Sequence, residues 1–326
     1  MKQTILQLDP ENYERHRIHS QERDWAETNC YVDIWIELLH SLGHEPITAM
    51  PFTLAIDFEG DQWTFFKFPL ADLYELYGID VQELAIWKPL TKHIEEQVSL
   101  GRPVLVELDS FYLPDTAGMA YKMAHVKSTV AVTEIDLDKK HLGYFHGQGY
   151  YHLPAEDFDN VFRLNEEPDP SRLSPYVEIA KLRHRQPEKI SNSELLGTSL
   201  RLLKKQLALL PEKNPFYAFR TKFENDLHWL RKEDLETFHQ YSFATLRQFG
   251  ACYELATNYL SWLQSNDETG LEEPIQLIKS LSETAKVYQF QLARVISRGK
   301  ELDLTPIDEM AKSWSVAMDQ LKRIYL

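Results

Sequence analysis

Apolar residues recur at helical spacing between Trp25 and Gly43: Tyr31, Ile34, Trp35, Leu38 and Leu42 share one stripe, Thr28 or Asn29 offers an N-cap, and Gly43 a C-terminal stop. The period then changes. Residues 52–58 and 63–68 are rich in β-formers around Glu59-Gly60-Asp61, which predicts a hairpin or a tight strand pair. Residues 70–77 and 89–100 return to helical spacing, the second stretch ended by Gly101. Three strands are predicted after it, over 104–108, 126–135 and 141–153, with a turn at 136–140 joining the last two.

Helices followed by neighbouring antiparallel strands make an α+β pattern, and the chain lacks the regular alternation of a doubly wound nucleotide-binding sheet. A stretch at 165–192 holds Pro168, Pro170, Pro175 and Pro187 among charges and marks a boundary. Two domains follow, an α+β domain over 1–175 and an all-α helical bundle over 190–326. In the second, Ser191 and Glu194 form a capping-box pattern ahead of Leu196, Leu200, Leu203, Leu207 and Leu210. Asn214-Pro215 opens a helix with Phe216, Phe219, Phe223, Leu227 and Leu230 on its stripe. Further helices span 245–263 and 274–299, and Thr305-Pro306 begins a last one, about five in all.

Composition narrows the setting. At 326 residues the chain is long enough for two ordinary domains, and no apolar run approaches the ~20 residues of a membrane span. The charged start with Pro10 is unlike a secretory signal, and two cysteines make neither a disulfide framework nor a zinc knuckle, so a cytoplasmic location is expected. Net charge is −15, which argues against a nucleic-acid partner. Residues 181–222 run the other way, with ten Lys and Arg against three Asp and Glu, including Lys181, Arg183, Arg185, Lys189, Arg201, Lys204 and Lys205. Such an island is either a solvated face or a surface that steers an acidic partner.

Cys30 falls at the predicted start of the first helix, where the macrodipole favours a thiolate; the alternative is a small buried residue at a helix end. Cys252 sits mid-helix on an apolar stripe and reads as structural. A thiol nucleophile needs a base, and His125, opening the strand His125-Val126-Lys127-Ser128-Thr129-Val130, is the candidate. His141, His146 and His152 do not suggest a metal set, since 141 and 146 differ in strand parity and no metal-binding motif accompanies them. No metal and no resident cofactor are expected.

Cys30 at a helix start, then Gly101-Arg102-Pro103-Val104-Leu105-Val106, then His125 on the following strand, resemble the papain-like fold of bacteriocin-processing cysteine peptidases and of the butirosin carrier-protein acyltransferase. The segments Asn29-Cys30-Tyr31-Val32-Asp33-Ile34-Trp35, Asp57-Phe58-Glu59-Gly60-Asp61, Asp109-Ser110-Phe111-Tyr112-Leu113-Pro114-Asp115 and Leu142-Gly143-Tyr144-Phe145-His146 resemble the bacterial family catalogued as domain of unknown function 1839. The papain-like resemblance implies a cysteine acyl- or aminoacyltransferase drawing on a thioester, with the acyl group on the phosphopantetheine of an acidic carrier protein that docks on segment 181–222. A cysteine amidohydrolase or peptidase, or a non-catalytic binding protein on the same scaffold, are the alternatives. The third catalytic group falls near His146, with Gln148 beside it. Where papain-like enzymes often carry an oxyanion-binding Gln six residues before the cysteine, Asp24 stands here. Asp109 and Asp115 flank Tyr112 and suit a cationic group such as an α-amine, with Asn29 beside the thiol, or else serve as turn residues.

Overall fold

The computed structural model describes residues 1–19, 22–26, 28–167, 171, 173–183, 190–298 and 302–326; Pro168, Pro170, Arg185, Pro187 and Lys189 lie outside them. Packing groups the chain into two compact units, one of residues 1–19, 29–46 and 69–190, the other of 20–28, 47–68 and 191–326.

The first unit is α+β. In chain order it contains β1 (Gln3–Thr4), α1 (Cys30–Ser41), α2 (Leu70–Tyr77), β2 (Ile79–Glu83), α3 (Leu90–Ser99), β3 (Val104–Asp109), β4 (Lys127–Asp136), β5 (His141–His146), β6 (Gly149–Leu153), α4 (Ala155–Val161) and β7 (Val177–Leu182). Among the described residues the strands form one antiparallel sheet ordered β2-β7-β3-β4-β5-β6, with β1 pairing the far end of β4. Side chains alternate between the faces of a strand. Val104, Val106, Leu108, Val130, Val132, Leu142 and Tyr144 therefore share one face, where they pack with Ile94 and Val98 of α3 and Phe158 and Val161 of α4. On the other face α1 lies across β4 and β5. A bulge between Val132 and Glu134 reverses this alternation, so Ile135 joins the α3 face and Glu134 turns toward the α1 face.

Three strand expectations change. The stretch 141–153 is a hairpin rather than one strand, because Gly147 at φ +51 with Gln148 turns the chain between His146 and Gly149. Within the proline-marked boundary, β7 lies between β2 and β3, its Val177, Ile179 and Ala180 buried. Proline reports local backbone preference, whereas strand pairing is a long-range choice. Strand β2 and helix α4 carried no clear periodicity and were not anticipated.

The second unit is helical: α5 (Asn192–Ala208), α6 (Pro215–Leu230), α7 (Leu235–Ser242), α8 (Gln248–Ser265), α9 (Glu272–Arg298) and α10 (Thr305–Tyr325), with a π-helical turn over Phe243–Arg247 ahead of α8. The Ser191–Glu194 capping box is formed by both of its bonds, and Asn214 caps α6 by accepting from the Phe216 amide. The expected hairpin at 52–68 reduces to one bridge between Phe58 and Trp63 after a 3-10 turn at Pro51–Leu54. Its aromatics are drawn into the helical core instead. Trp63 lies 4.9 Å from both Phe216 and Phe249 and 5.7 Å from Phe219, and its amide donates to the Ala244 carbonyl at 3.0 Å. The segment before Asn29 does likewise: Trp25 Nε1 donates to Ser282 Oγ at 2.9 Å, and Arg23 grips Glu254 through two nitrogens. A simple division into 1–175 and 190–326 therefore misses two N-terminal segments that complete the helical core.

No helix among the described residues is long and apolar enough to cross a membrane. The basic island is divided between the units at residue 190. Lys181 and Arg183 pair with Asp80, Arg220 with Glu224 and Asp308, and Lys222 with Asp226.

Candidate functional site

Asn29 stays in the extended region at φ −141, ψ 156 and accepts the Val32 amide at 2.9 Å, so α1 begins with Cys30 as its first residue. Val32, Ile34, Trp35, Ile36, Leu38 and Leu39 are fully buried, which holds the helix on the sheet and fixes where its N-terminus points. The half-buried Cys30 thiol donates to Thr129 Oγ1 on β4 at 3.7 Å. Cys252 differs in every respect: it is enclosed in α8, donates to the Thr53 carbonyl at 3.4 Å, and burial pushes its thiol well above the ordinary range.

Four residues before Thr129, His125 precedes β4. Its Nδ1 lies 2.7 Å from Asp109 Oδ2, and its ring stacks on Phe111 at 4.4 Å and 12° with Tyr112 edge-on. Asp109 ends β3 and also accepts the Phe111 amide, which ties the carboxylate and the stacking ring to one turn. Asp109, His125 and Val126 line a cavity of about 440 Å³ whose walls include Val161, Phe162 and Arg163. Asp109, expected to bind substrate, thus orients the imidazole. Among the described residues no hydrogen bond joins Cys30 to His125: the thiol meets Thr129 inside β4, while His125 stands ahead of the strand and is held by Asp109.

His146 does not reach His125. Its Nδ1 meets Asp115 Oδ2 at 2.5 Å and its Nε2 meets Ser128 Oγ at 2.6 Å, while Tyr144 donates to Asp115 Oδ1 at 2.5 Å. Ser128, Tyr144 and His146 project from the α3 face, whereas Thr129 projects toward α1. The expectation that His146 or Gln148 would orient His125 is corrected accordingly, since Gln148 accepts from Arg15 at 3.0 Å. Nor does Asp115 accompany Asp109 in flanking a thiol. Asp24, at the position of the oxyanion-binding glutamine, packs in the helical unit, its amide donating to Glu254 at 2.8 Å.

Two groupings escaped the sequence reading. Ser128, His146 and Asp115 form a hydroxyl–imidazole–carboxylate series in the order of a hydrolytic triad. Ser128 is a buried residue of a regular strand, however, and its hydroxyl is engaged with the ring. The second grouping is His19, which is fully buried between Asp33 and Glu37 of α1. Asp33 and Glu37 are spaced i, i+4 and so face the same side of the helix, a signal the sequence did carry. His141 and His152 also come together on the α1 face beside Glu134, although the sequence suggested no metal set.

A chain that combines an antiparallel α+β unit, with a cysteine at a helix start, and a second, largely helical unit is the class of protein these features define. Residues 14–182 match the DUF1839 N-terminal domain and residues 192–323 the DUF1839 C-terminal domain. The chain belongs to this family. No curated protein matches it.

Proposed function

We propose that the chain is a cysteine-dependent acyl- or aminoacyltransferase on a papain-like scaffold, taking its acyl group from a thioester such as a phosphopantetheine-bound one on an acidic carrier protein. The observation that carries this reading is Cys30 as the first residue of α1, half-exposed at the positive end of the helix and meeting at Thr129 the same strand, β4, that His125, held by Asp109, precedes. The Cys30 thiolate attacks the thioester carbonyl, the bond to the donor sulfur breaks, and the donor thiolate takes the proton that His125 received from Cys30. An acceptor amine or hydroxyl then attacks the acyl-cysteine, losing its proton to His125 as the Cys30 sulfur leaves. The cavity beside His125 mixes apolar walls with Glu107, Lys127 and Arg163, which suits the amide-bearing arm of a pantetheine donor. Catalysis requires the end of β3 and the turn-rich stretch before β4 to move together, carrying His125 toward the sulfur with Asp109 still on its Nδ1. The rest state, with the thiol on Thr129, favours a second reading, a binding protein that has kept the scaffold.

Incubation with an acyl N-acetylcysteamine thioester separates these readings. Transfer gives a mass increase equal to the acyl group on the peptide bearing Cys30, lost in Cys30→Ala and slowed in His125→Ala. Steady release of free acid instead identifies a thioesterase or amidohydrolase on the same residues. Absence of any adduct leaves the binding reading.

A further inference from the structure

The bulge in β4 brings three potential metal ligands to one place. Glu134 lies opposite Gly143 of β5, and Gly143 lies opposite His152 of β6, so a carboxylate and an imidazole flank a residue that has no side chain. His141, two residues earlier on β5, projects from the same face. The ligand atoms of Glu134, His141 and His152 all lie within 4.8 Å of one another. Their rings and carboxylate are already coupled, with His141 Nε2 at 2.6 Å from Glu134 Oε1 and the two imidazole centroids 4.5 Å apart.

A Cβ on Gly143 would stand 2.2 Å from Tyr150 Oη and 2.9 Å from Glu134 Cβ, so any larger residue would displace the Tyr150 ring and the Glu134 side chain. One further observation points to a ligand. The Tyr150 hydroxyl is buried over this glycine without a partner in bonding geometry, the Thr133 hydroxyl being a loose neighbour. Glu134 is 2% exposed, and the cation that faces it is Lys2, a half-exposed side chain at 2.7 Å that is free to swing out to water.

We propose that Glu134, His141 and His152 form a binding site for a divalent transition metal ion, with Zn²⁺ as the ion the donor set favours. Two imidazole nitrogens and one carboxylate oxygen match the preferences of zinc, whereas Ca²⁺ and Mg²⁺ prefer all-oxygen shells. Ligand atoms around a tetrahedral zinc sit ~3.3 Å apart, from Zn–N bonds of ~2.0 Å. Side-chain rotation of the exposed His152 closes the longer gap. The ion takes the place of the proton shared by His141 and Glu134 and replaces Lys2 as counter-charge. His152 is exposed, so a coordination position faces solvent. The site is independent of Cys30 and His125, and its failure would leave the thiol reading untouched.

Calorimetric titration of the full chain, stripped with a chelator, with ZnSO₄ tests this. Expected is saturable binding of one ion per chain, weakened at least about tenfold in His152→Ala and in His141→Ala. Lys2→Ala is expected to bind at least as tightly. Co²⁺ provides a second readout, through visible ligand-field bands that disappear in His152→Ala, a surface substitution that leaves the core intact. Absence of saturable Zn²⁺ binding, or binding as tight in both histidine variants as in the wild type, overturns the proposal.

Discussion

Asp109 holds His125 by Nδ1 at 2.7 Å while Phe111 lies flat against the ring. A carboxylate on Nδ1 keeps the proton there and leaves Nε2 to accept another, which is the form a general base needs. Asp109→Asn is therefore expected to lower acyl transfer by about 10²-fold or more with little loss of stability. Imidazole ¹⁵N shifts should show the Nδ1–H form in the wild type and a mixture in the variant. Unchanged shifts and rate would remove Asp109 from the orienting role.

The two thiols should react very differently. Cys252 is enclosed, and burial raises its thiol well above the ordinary range, while Cys30 is partly accessible at the N-terminus of α1. Brief iodoacetamide treatment of native protein at neutral pH should modify Cys30 alone, with Cys252 reacting only after denaturation. Peptide mass mapping reads the outcome, and equal modification of both in the folded state would contradict this placement.

His19 is a pH-dependent tie between the N-terminal segment and α1. Burial alone pushes its pKa down, but hydrogen bonds and charge from Asp33 and Glu37 outweigh that and hold it above the ordinary value. The proton is thus bound more tightly in the folded chain. Its contribution to stability is complete below the unfolded value of about 6.5 and is lost as pH rises through the raised folded value. His19→Gln should destabilise by about 3–5 kcal/mol on the acid side, because two buried carboxylates lose their counter-charge. Thermal melts of both proteins from about pH 6 to about pH 9 should show the gap narrowing as pH rises. A constant gap would mean that His19 is neutral in the folded state.

Ser128→Ala should leave thioester transfer at the wild-type rate, since its side chain lies on the sheet face away from Cys30. Stability should fall by about 1–3 kcal/mol, as His146 Nε2 loses its partner in a buried setting. If Ser128→Ala abolishes activity that Cys30→Ala retains, the nucleophile is the hydroxyl and the chemistry belongs to the Asp115–His146 side.

A fragment of residues 191–326 should not fold to a native core. It lacks Trp63, which sits among Phe216, Phe219 and Phe249, and Trp25, whose indole fills the space over Gly250. In the full chain, Trp63→Ala should cost about 3–5 kcal/mol. Heteronuclear spectra of the fragment and denaturation of the variant check the two statements. A dispersed, cooperative fragment would show that the N-terminal segments are dispensable.

Local pattern alone determined a good deal of this protein. The Asn29 cap with Cys30 behind it, α2 and α3, the Ser191–Glu194 capping box and the stripes of the C-terminal helices all depend on residues a few positions apart, where spacing and capping chemistry act directly. The α+β character and the contrast between Cys30 and Cys252 were legible for the same reason. Tertiary structure decided what depends on distant partners. Residues 52–68 have the composition of strands, yet their aromatics gain more by burial among helices than from a two-strand ladder. Strand parity correctly separated His141 from His146, but only the hairpin at Gly147 and the bulge before Glu134 bring His141, His152 and that carboxylate onto one face. Likewise Asp109 reaches His125, and Asp115 reaches His146, through pairings 16 and 31 residues apart in sequence. Strand register and side-chain facing set those partners, and a one-residue bulge, which leaves no reliable mark in the sequence, is enough to exchange them.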